Sequence, residues 1–218
     1  HQNGDIRDVY SLDKVIGAGH FGTVRIGHRI TGDDEITYAI KSMSKEKFKG
    51  QLKYFVNELS TIGDLDHPNI LRFYETYEDS KYYHIVMEYC TGGELFDKII
   101  EDGRLTEDYT CFLMEKILKA INHCHEMGVT HRDIKPENFM FETSDPHSEL
   151  KLIDFGLSKK YGDVKKLKTI LGTPSYMAPE VFKGSYTKEC DYWSLGAMMY
   201  QMLAGFPPFL GHTQKTII

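Results

Sequence analysis

The sequence has no apolar run of membrane-spanning length, which excludes a transmembrane helix. It has no basic excess either: 26 Lys and Arg stand against 32 Asp and Glu, for a net charge of −6. A broad nucleic-acid surface would carry the opposite balance, so no nucleic-acid partner is expected. Its four cysteines, Cys90, Cys111, Cys124 and Cys190, include no Cys-x-x-Cys pair, and no signal peptide precedes them. That excludes a disulfide scaffold and a zinc ribbon, and reads as reduced, mostly packed thiols in an intracellular, cytoplasmic protein; peripheral membrane attachment stays open. His123-Cys124-His125 resembles a metal lure, but adjacent helical residues point in different directions and do not converge on one ion. There is no internal repeat and no low-complexity stretch. No G-x-x-x-x-G-K-[ST] is present, which excludes a P-loop NTPase.

What remains is 218 residues, 41% hydrophobic and 27% charged, enough for one large domain or two small lobes sharing a cleft. The chain opens at His1 rather than Met, so any native leader is out of view. Residues 1–9 are polar and read as a lead-in. From Tyr10 to about Tyr89 the composition predicts strands over Leu12–Ile16, Thr23–Arg29, Ile36–Ser42, Leu71–Tyr77 and Tyr82–Tyr89. Thr31-Gly32-Asp33-Asp34 supplies a turn, and Phe55, Leu59 and Ile62 recur at helical spacing. After Gly92-Gly93 the pattern becomes helical. Thr106 is suited to cap a helix with Glu107 and Asp108 in its first turn, a buried stripe of Leu113, Ile117, Ala120 and Cys124, and Gly128 as its stop. A second buried helix is predicted from about Thr187 to Ala204, ended by Gly205 and Pro207-Pro208. The expected class is α+β: a β-rich N-terminal lobe over 10–89 with one helix, a hinge at about 88–93, and a mainly helical lobe over 94–218. Clefts between lobes are favoured ligand sites.

Gly17-Ala18-Gly19-His20-Phe21-Gly22-Thr23-Val24 is a G-x-G-x-x-G-x-V element. A dinucleotide fold would follow such glycines with a helix. Here Thr23-Val24-Arg25-Ile26 reads as a strand, so a phosphate-covering hairpin is the better reading. In Ile36-Thr37-Tyr38-Ala39-Ile40-Lys41 the period of two places Ala39 and Lys41 on one side, a small residue and a cation. His131-Arg132-Asp133-Ile134-Lys135-Pro136-Glu137-Asn138 follows, then Asp154-Phe155-Gly156 behind the run Leu150-Lys151-Leu152-Ile153, then Ala178-Pro179-Glu180. So many ordered motifs leave chance as no serious competitor.

On these motifs the chain resembles the eukaryotic protein kinases, from about Tyr10 to its end. The resemblance implies a two-lobed fold, ATP and Mg²⁺ as cofactors, and phosphorylation of serine or threonine on protein substrates. Asp133 would accept or orient the substrate hydroxyl proton. Lys135 would stabilise the moving phosphoryl group, and its presence argues for serine/threonine over tyrosine. Asn138 and Asp154 would hold Mg²⁺. Lys41 would contact the α and β phosphates and pair with Glu58. Ile16, Val24 and Ala39 would roof the adenine, Met140 would floor it, Ile153 would line it, and Gly17 to Gly22 would cover the phosphates. Met87 would take the gatekeeper position, and Glu88 and Cys90 would offer backbone hydrogen bonds.

Glu94 and Glu137, at the nucleotide and peptide end of the site, match the acidic positions that hold an arginine before the phosphoacceptor. Thr173, in Gly172-Thr173-Pro174-Ser175-Tyr176-Met177, would hydrogen-bond Asp133 and Lys135. Arg132 would engage a phosphate on Thr169, which Lys165, Lys166 and Lys168 surround. Tyr89 to Asp97 and Asp191-Tyr192-Trp193-Ser194-Leu195-Gly196 look like the calcium/calmodulin-dependent group, and within it Gly17-Ala18-Gly19-His20-Phe21-Gly22 with His67-Pro68-Asn69-Ile70 is most similar to calcium-dependent protein kinases of plants and protists. No D-x-[DN]-x-[DN]-G loop is present, so Ca²⁺ would act only through a sensor region outside this chain, in cis, or through calmodulin in trans. A pseudokinase scaffold is the remaining alternative, disfavoured because every reacting residue is present. The sequence stops at Ile218, short of the helices and the arginine that pairs with Glu180 in complete kinases, so a C-terminally incomplete lobe with Glu180 unpaired is expected.

Overall fold

The computed structural model describes residues 2–18, 22–31, 36–47, 63–161 and 166–211. The chain divides into two compact units, His1–Phe55 with Leu71–Cys90, and Val56–Ile70 with Thr91–Ile218.

The first unit is a six-stranded sheet: β1 (Gln2–Asn3), β2 (Val15–Ala18), β3 (Gly22–Gly27), β4 (Tyr38–Ser44), β5 (Phe73–Glu78) and β6 (Tyr82–Glu88), in the order β1-β5-β6-β4-β3-β2. Every pairing is antiparallel except that of β1, which joins the β5 edge in parallel. The polar stretch ahead of Tyr10 contributes to the core, because a short 3-10 turn at Ile6–Asp8, capped by Asp5, drives Ile6 inward. Ile6 packs with Tyr10, Tyr38, Ile40, Tyr77 and Val86. Tyr10 meets Tyr38 edge-on at 5.3 Å, and its hydroxyl lies between Glu75 and Arg29. Burial, and then the Glu75 carboxylate, push its phenol upward.

Several strand boundaries differ from expectation: β4 covers Tyr38–Ser44 rather than Ile36–Ser42, β5 Phe73–Glu78 rather than Leu71–Tyr77, and β6 stops at Glu88 rather than Tyr89. β2 begins at Val15 rather than Leu12 and runs into the glycines. The register slips between Val15 and Gly17, so Ser11 and Asp13 still donate backbone bonds to His28 and Ile26 without forming a regular ladder. β3 ends at Gly27, two residues before the expected Arg29, although Tyr10 and Arg29 still form an isolated bridge. The turn at Gly32 to Asp34 and the helix expected around Phe55, Leu59 and Ile62 lie outside the described residues.

The second unit holds α1 (Leu95–Asp102), α2 (Glu107–Glu126), β7 (Val129–Thr130), β8 (Phe139–Phe141), β9 (Leu150–Leu152), β10 (Lys159–Lys160), α3 (Pro179–Phe182) and α4 (Cys190–Ala204). Thr106 caps α2 through Oγ1, which accepts the Tyr109 amide at 3.3 Å. Leu113, Ile117, Ala120 and Cys124 form its buried stripe. β8 and β9 pair as one small ladder, β7 and β10 as another. The helix expected from Thr187 begins instead at Cys190. Thr187 and Lys188 spend their carbonyls on the Cys190 and Asp191 amides in a tight three-residue pattern, and the Thr187 hydroxyl bonds Glu189. Cys90, Cys124 and Cys190 are buried and Cys111 is exposed, and none of the four is in a disulfide.

Candidate active site

The segment His131 to Asn138 leaves β7 and is fixed from below by α4. Asp191, fully buried in the first turn of α4, accepts the backbone N–H of His131 through Oδ2 and that of Arg132 through Oδ1, both at 2.8 Å. Its Oδ2 also lies 2.8 Å from His125 Nε2. These bonds hold Arg132 at φ +72°, the only positive φ of a non-glycine residue among those described. Such a conformation costs on the order of 1–3 kcal/mol and persists where the surroundings over-determine it.

The Arg132 guanidinium is engaged as well. Nε donates to Leu157 O at 2.7 Å, and the terminal nitrogens reach Ser158 O at 3.3 Å and the Tyr186 hydroxyl at 3.5 Å. Tyr186 in turn donates to Thr169 O at 2.6 Å, and the Thr169 residue itself is exposed.

Asp133 stands at the apex of this loop. Thr173 donates to its Oδ1 at 2.7 Å, and Lys135 Nζ lies 3.1 Å from its Oδ2. Lys135 also donates to Thr173 Oγ1 at 3.0 Å, which closes a triangle of carboxylate, ammonium and hydroxyl. The bonds expected of Thr173 are therefore made. Gly172 makes them possible: its φ is +125°, and a Cβ there would sit 2.7 Å from Arg132 O, so only glycine lets this segment approach the loop. Burial works to raise the Asp133 pKa. The Thr173 hydrogen bond and the Lys135 charge outweigh it and hold the carboxyl below its ordinary value.

Asn138 and Asp154 come from the two sides of the β8–β9 ladder. Asn138 closes a 3-10 turn over Pro136–Asn138, and its carbonyl accepts the Ile153 amide at 3.0 Å. Its side-chain Nδ2 donates to Asp133 O at 2.7 Å, which leaves Oδ1 as a hard acceptor. Asp154 is exposed; its Oδ1 takes the Gly156 amide at 2.9 Å. His131 donates from Nε2 to Asp154 O at 2.6 Å, and its Nδ1 accepts the Asp133 amide at 3.3 Å. One imidazole thus ties Asp133 to Asp154. An amide oxygen and a carboxylate are the donor chemistry of a hard divalent cation such as Mg²⁺.

The acidic pair is built differently. Glu94 precedes α1 and bridges Met140 of β8, while Glu137 lies in the turn that packs on α1. Burial, then Asp97 and Glu137, raise the Glu94 carboxyl above its ordinary value. Glu137 Oε2 is buried and meets no hydrogen-bond partner among the described residues.

In the sheet unit, Gly17 pairs with Val24 and Ala18 with Thr23, so β2 and β3 run antiparallel on either side of residues 19–21. Gly22 lies so close to β4 that a Cβ would overlap Ser42 O. Val24 is opposite Lys41 in the β3–β4 register, and Ala39 is opposite Met87 in the β4–β6 register. Ala39 and Cys90 are buried and Ile16 is exposed. The Glu88 backbone N–H donates to Arg72 O at 2.9 Å. Gly19, His20, Phe21, Glu58 and Lys165 lie outside the described residues.

Glu180 is half-buried and forms no side-chain ion pair among the described residues. His123 and His125 face different neighbours, His67 at 5.2 Å between ring centres and Asp191, as adjacent helical positions require. Sequence reasoning assigned no role to Asp191, His125 or Tyr192. The available signal was an acid at the head of an apolar helix, a position where burial demands partners.

Comparison with known proteins agrees with this geometry. The protein kinase domain family matches residues 10–218. Calcium-dependent protein kinase 3 of Plasmodium yoelii yoelii is 41% identical over 218 residues, covering 99% of this chain and 40% of that protein. Calcium-dependent protein kinase 11 of Arabidopsis thaliana is 41% identical over 220 residues, covering 100% of this chain and 44% of that protein. Calcium-dependent protein kinase 12 of Oryza sativa subsp. japonica is 42% identical over 216 residues, 97% of this chain and 40% of that protein. The chain thus spans less than half the length of these relatives. No helix among the described residues is long and apolar enough to cross a membrane. By its family match and by the order of its motifs, the chain belongs to the protein kinase domain family.

Proposed function

We propose that this chain transfers the γ-phosphoryl group of ATP to serine and threonine hydroxyls of proteins. The carrying observation is the Asp133 triangle. A carboxylate kept ionised by Thr173 and Lys135 is ready to orient an alcohol and accept its proton, while Lys135 supplies positive charge where the phosphoryl group moves. Asn138 Oδ1 and Asp154 would hold Mg²⁺, which when bound neutralises phosphate charge. From the sheet unit, Gly17 to Gly22, Val24, Ala39, Met87 and the Glu88–Cys90 backbone would bind the nucleotide, with Lys41 directed to its phosphates and Glu58 to Lys41. By the family resemblance, Met140 and Ile153 would line the base.

Glu94 and Glu137 would select a basic residue ahead of the phosphoacceptor. A buried, unpartnered carboxylate oxygen beside a second carboxyl of raised pKa is an arrangement that a guanidinium satisfies. Phosphorylation of Thr169 would add an anion beside Arg132, Lys166 and Lys168. In keeping with the names of its relatives, calcium would regulate the whole protein through a sensor in cis, outside this chain.

The test incubates the full-length protein with Mg-ATP and peptides carrying arginine before serine, threonine or tyrosine. Label is expected on serine and threonine only, and far more slowly with Asp133→Asn. Equal labelling by the variant would remove Asp133 from this role.

A further inference from the structure

The Asp191 carboxylate can only accept hydrogen bonds, so His125, with Nε2 at 2.8 Å from Asp191 Oδ2, must carry its proton on Nε2. In a neutral imidazole the other nitrogen then has a lone pair that only a donor can fill. Tyr192 Oη lies 3.2 Å from His125 Nδ1, with the two rings edge to face at 5.1 Å. The His125 side chain is 2% exposed and that of Asp191 0%, so both ends of the imidazole are settled by protein groups.

We propose that Tyr192 is a positioning residue. Its hydroxyl donates to His125 Nδ1, fixes the Nε2–H tautomer, and so keeps a donor pointed at Asp191. In the opposite tautomer a lone pair would face the carboxylate at the same separation, and the two would repel. Asp191 would then turn from the His131 and Arg132 amides, which it now accepts at 2.8 Å each. Arg132 at φ +72° depends on those bonds, and Asp133 is the next residue. The relay runs from Tyr192 through His125 and Asp191 to the backbone beneath Asp133, and Tyr192 touches no reacting atom. Tyr192 is half-exposed, so its hydroxyl acts at the rim of a buried network rather than as a core packing element. The proposal rests on the assignment of Asp133 above.

Two readouts test it in the full-length protein. The first is the ¹⁵N signature of His125 by long-range nitrogen–proton NMR. Wild type is expected to show a neutral ring with the proton on Nε2 and a hydrogen-bonded lone pair on Nδ1. Tyr192→Phe is expected to lose the hydrogen-bond shift at Nδ1 and to mix tautomers. A wild-type imidazolium, or a signature unchanged in Tyr192→Phe, overturns the proposal. The second is a double-mutant cycle with His125→Gln, whose Nε2 amide can donate to Asp191 without any tautomer to set. Tyr192→Phe is expected to lower kcat about fivefold in wild type, the equivalent of one hydrogen bond, with the ATP KM unchanged, and to have no effect in the His125→Gln background. An equal loss in both backgrounds would make Tyr192 a packing residue and overturn the proposal. Should His125→Gln not fold, the NMR comparison decides alone. Full turnover by Asp133→Asn would refute the assignment of Asp133 while leaving the tautomer result standing, so the two failures are distinguishable.

Discussion

Two acidic places in the helical unit are built on opposite plans. Around Asp133 each carboxylate oxygen has a partner from the same chain, and the supporting loop is itself bonded by Asp191. Around Glu94 and Glu137 one oxygen is buried without a hydrogen-bond partner among the described residues, and like charges crowd together. The first arrangement is complete before any substrate arrives, which suits a group that must hold one geometry through the reaction. The second is left in deficit, which suits a group whose partner comes from another molecule. Under the proposed function, chemistry would be preorganised and recognition left unsatisfied.

Breaking the support of the first place gives the largest expected effect. Asp191→Ala removes the acceptor of two backbone amides and of His125. At about 1–3 kcal/mol for each stranded buried donor, a loss on the order of 3–5 kcal/mol is expected in chemical denaturation. A loss under about 1 kcal/mol, the scale of one exposed hydrogen bond, would mean that the loop is held elsewhere.

The second place predicts a different kinetic signature. Glu137→Gln is expected to raise the KM of an arginine-containing peptide about tenfold while sparing kcat, since a bond to a charged group is worth about 1.5–3 kcal/mol. A peptide with alanine at that position should not discriminate between variant and wild type. Because Glu94 ionises above its ordinary range, affinity for the arginine peptide should grow as pH rises through its titration. Removing the Glu137 charge should move that rise to lower pH.

Thr173→Val sharpens the contrast on a smaller scale. The Thr173 bond helps hold Asp133 below its ordinary pKa, against burial. A depressed carboxyl is charged above its folded pKa, and its stabilising bonds vanish as pH falls through that value. The acidic limb of kcat/KM should therefore move to higher pH in the variant, with kcat down about fivefold for one hydrogen bond. An unmoved limb would deny that Thr173 tunes Asp133. Thr106→Ala, far from either place, is expected to lower stability by about 1 kcal/mol through loss of the α2 cap and to leave kinetics alone.

Much of this was legible in the sequence. The cap at Thr106, the buried stripe of α2 and the bonds of Thr173 follow from local chemistry and ordered motifs. What was not legible depends on tertiary contact. Ile6 stands in a polar stretch, and only the packing of Tyr10 and Tyr38 makes it a core residue. The slip between Val15 and Gly17 has no signal in composition. Asp191 reads as an ordinary helix-start acid until α4 places it beneath the amides of His131 and Arg132. His125 gains its meaning only from that carboxylate.

Steady-state kinetics of Asp133→Asn at saturating Mg-ATP, set beside Glu137→Gln on one arginine-containing serine peptide, tests the central contrast most directly. Asp133→Asn is expected to lower kcat about 10²- to 10⁴-fold, the usual contribution of a positioned acid or base, with peptide KM little changed, while Glu137→Gln changes KM alone. Wild-type kcat in Asp133→Asn, or a loss of kcat rather than KM in Glu137→Gln, would contradict that contrast.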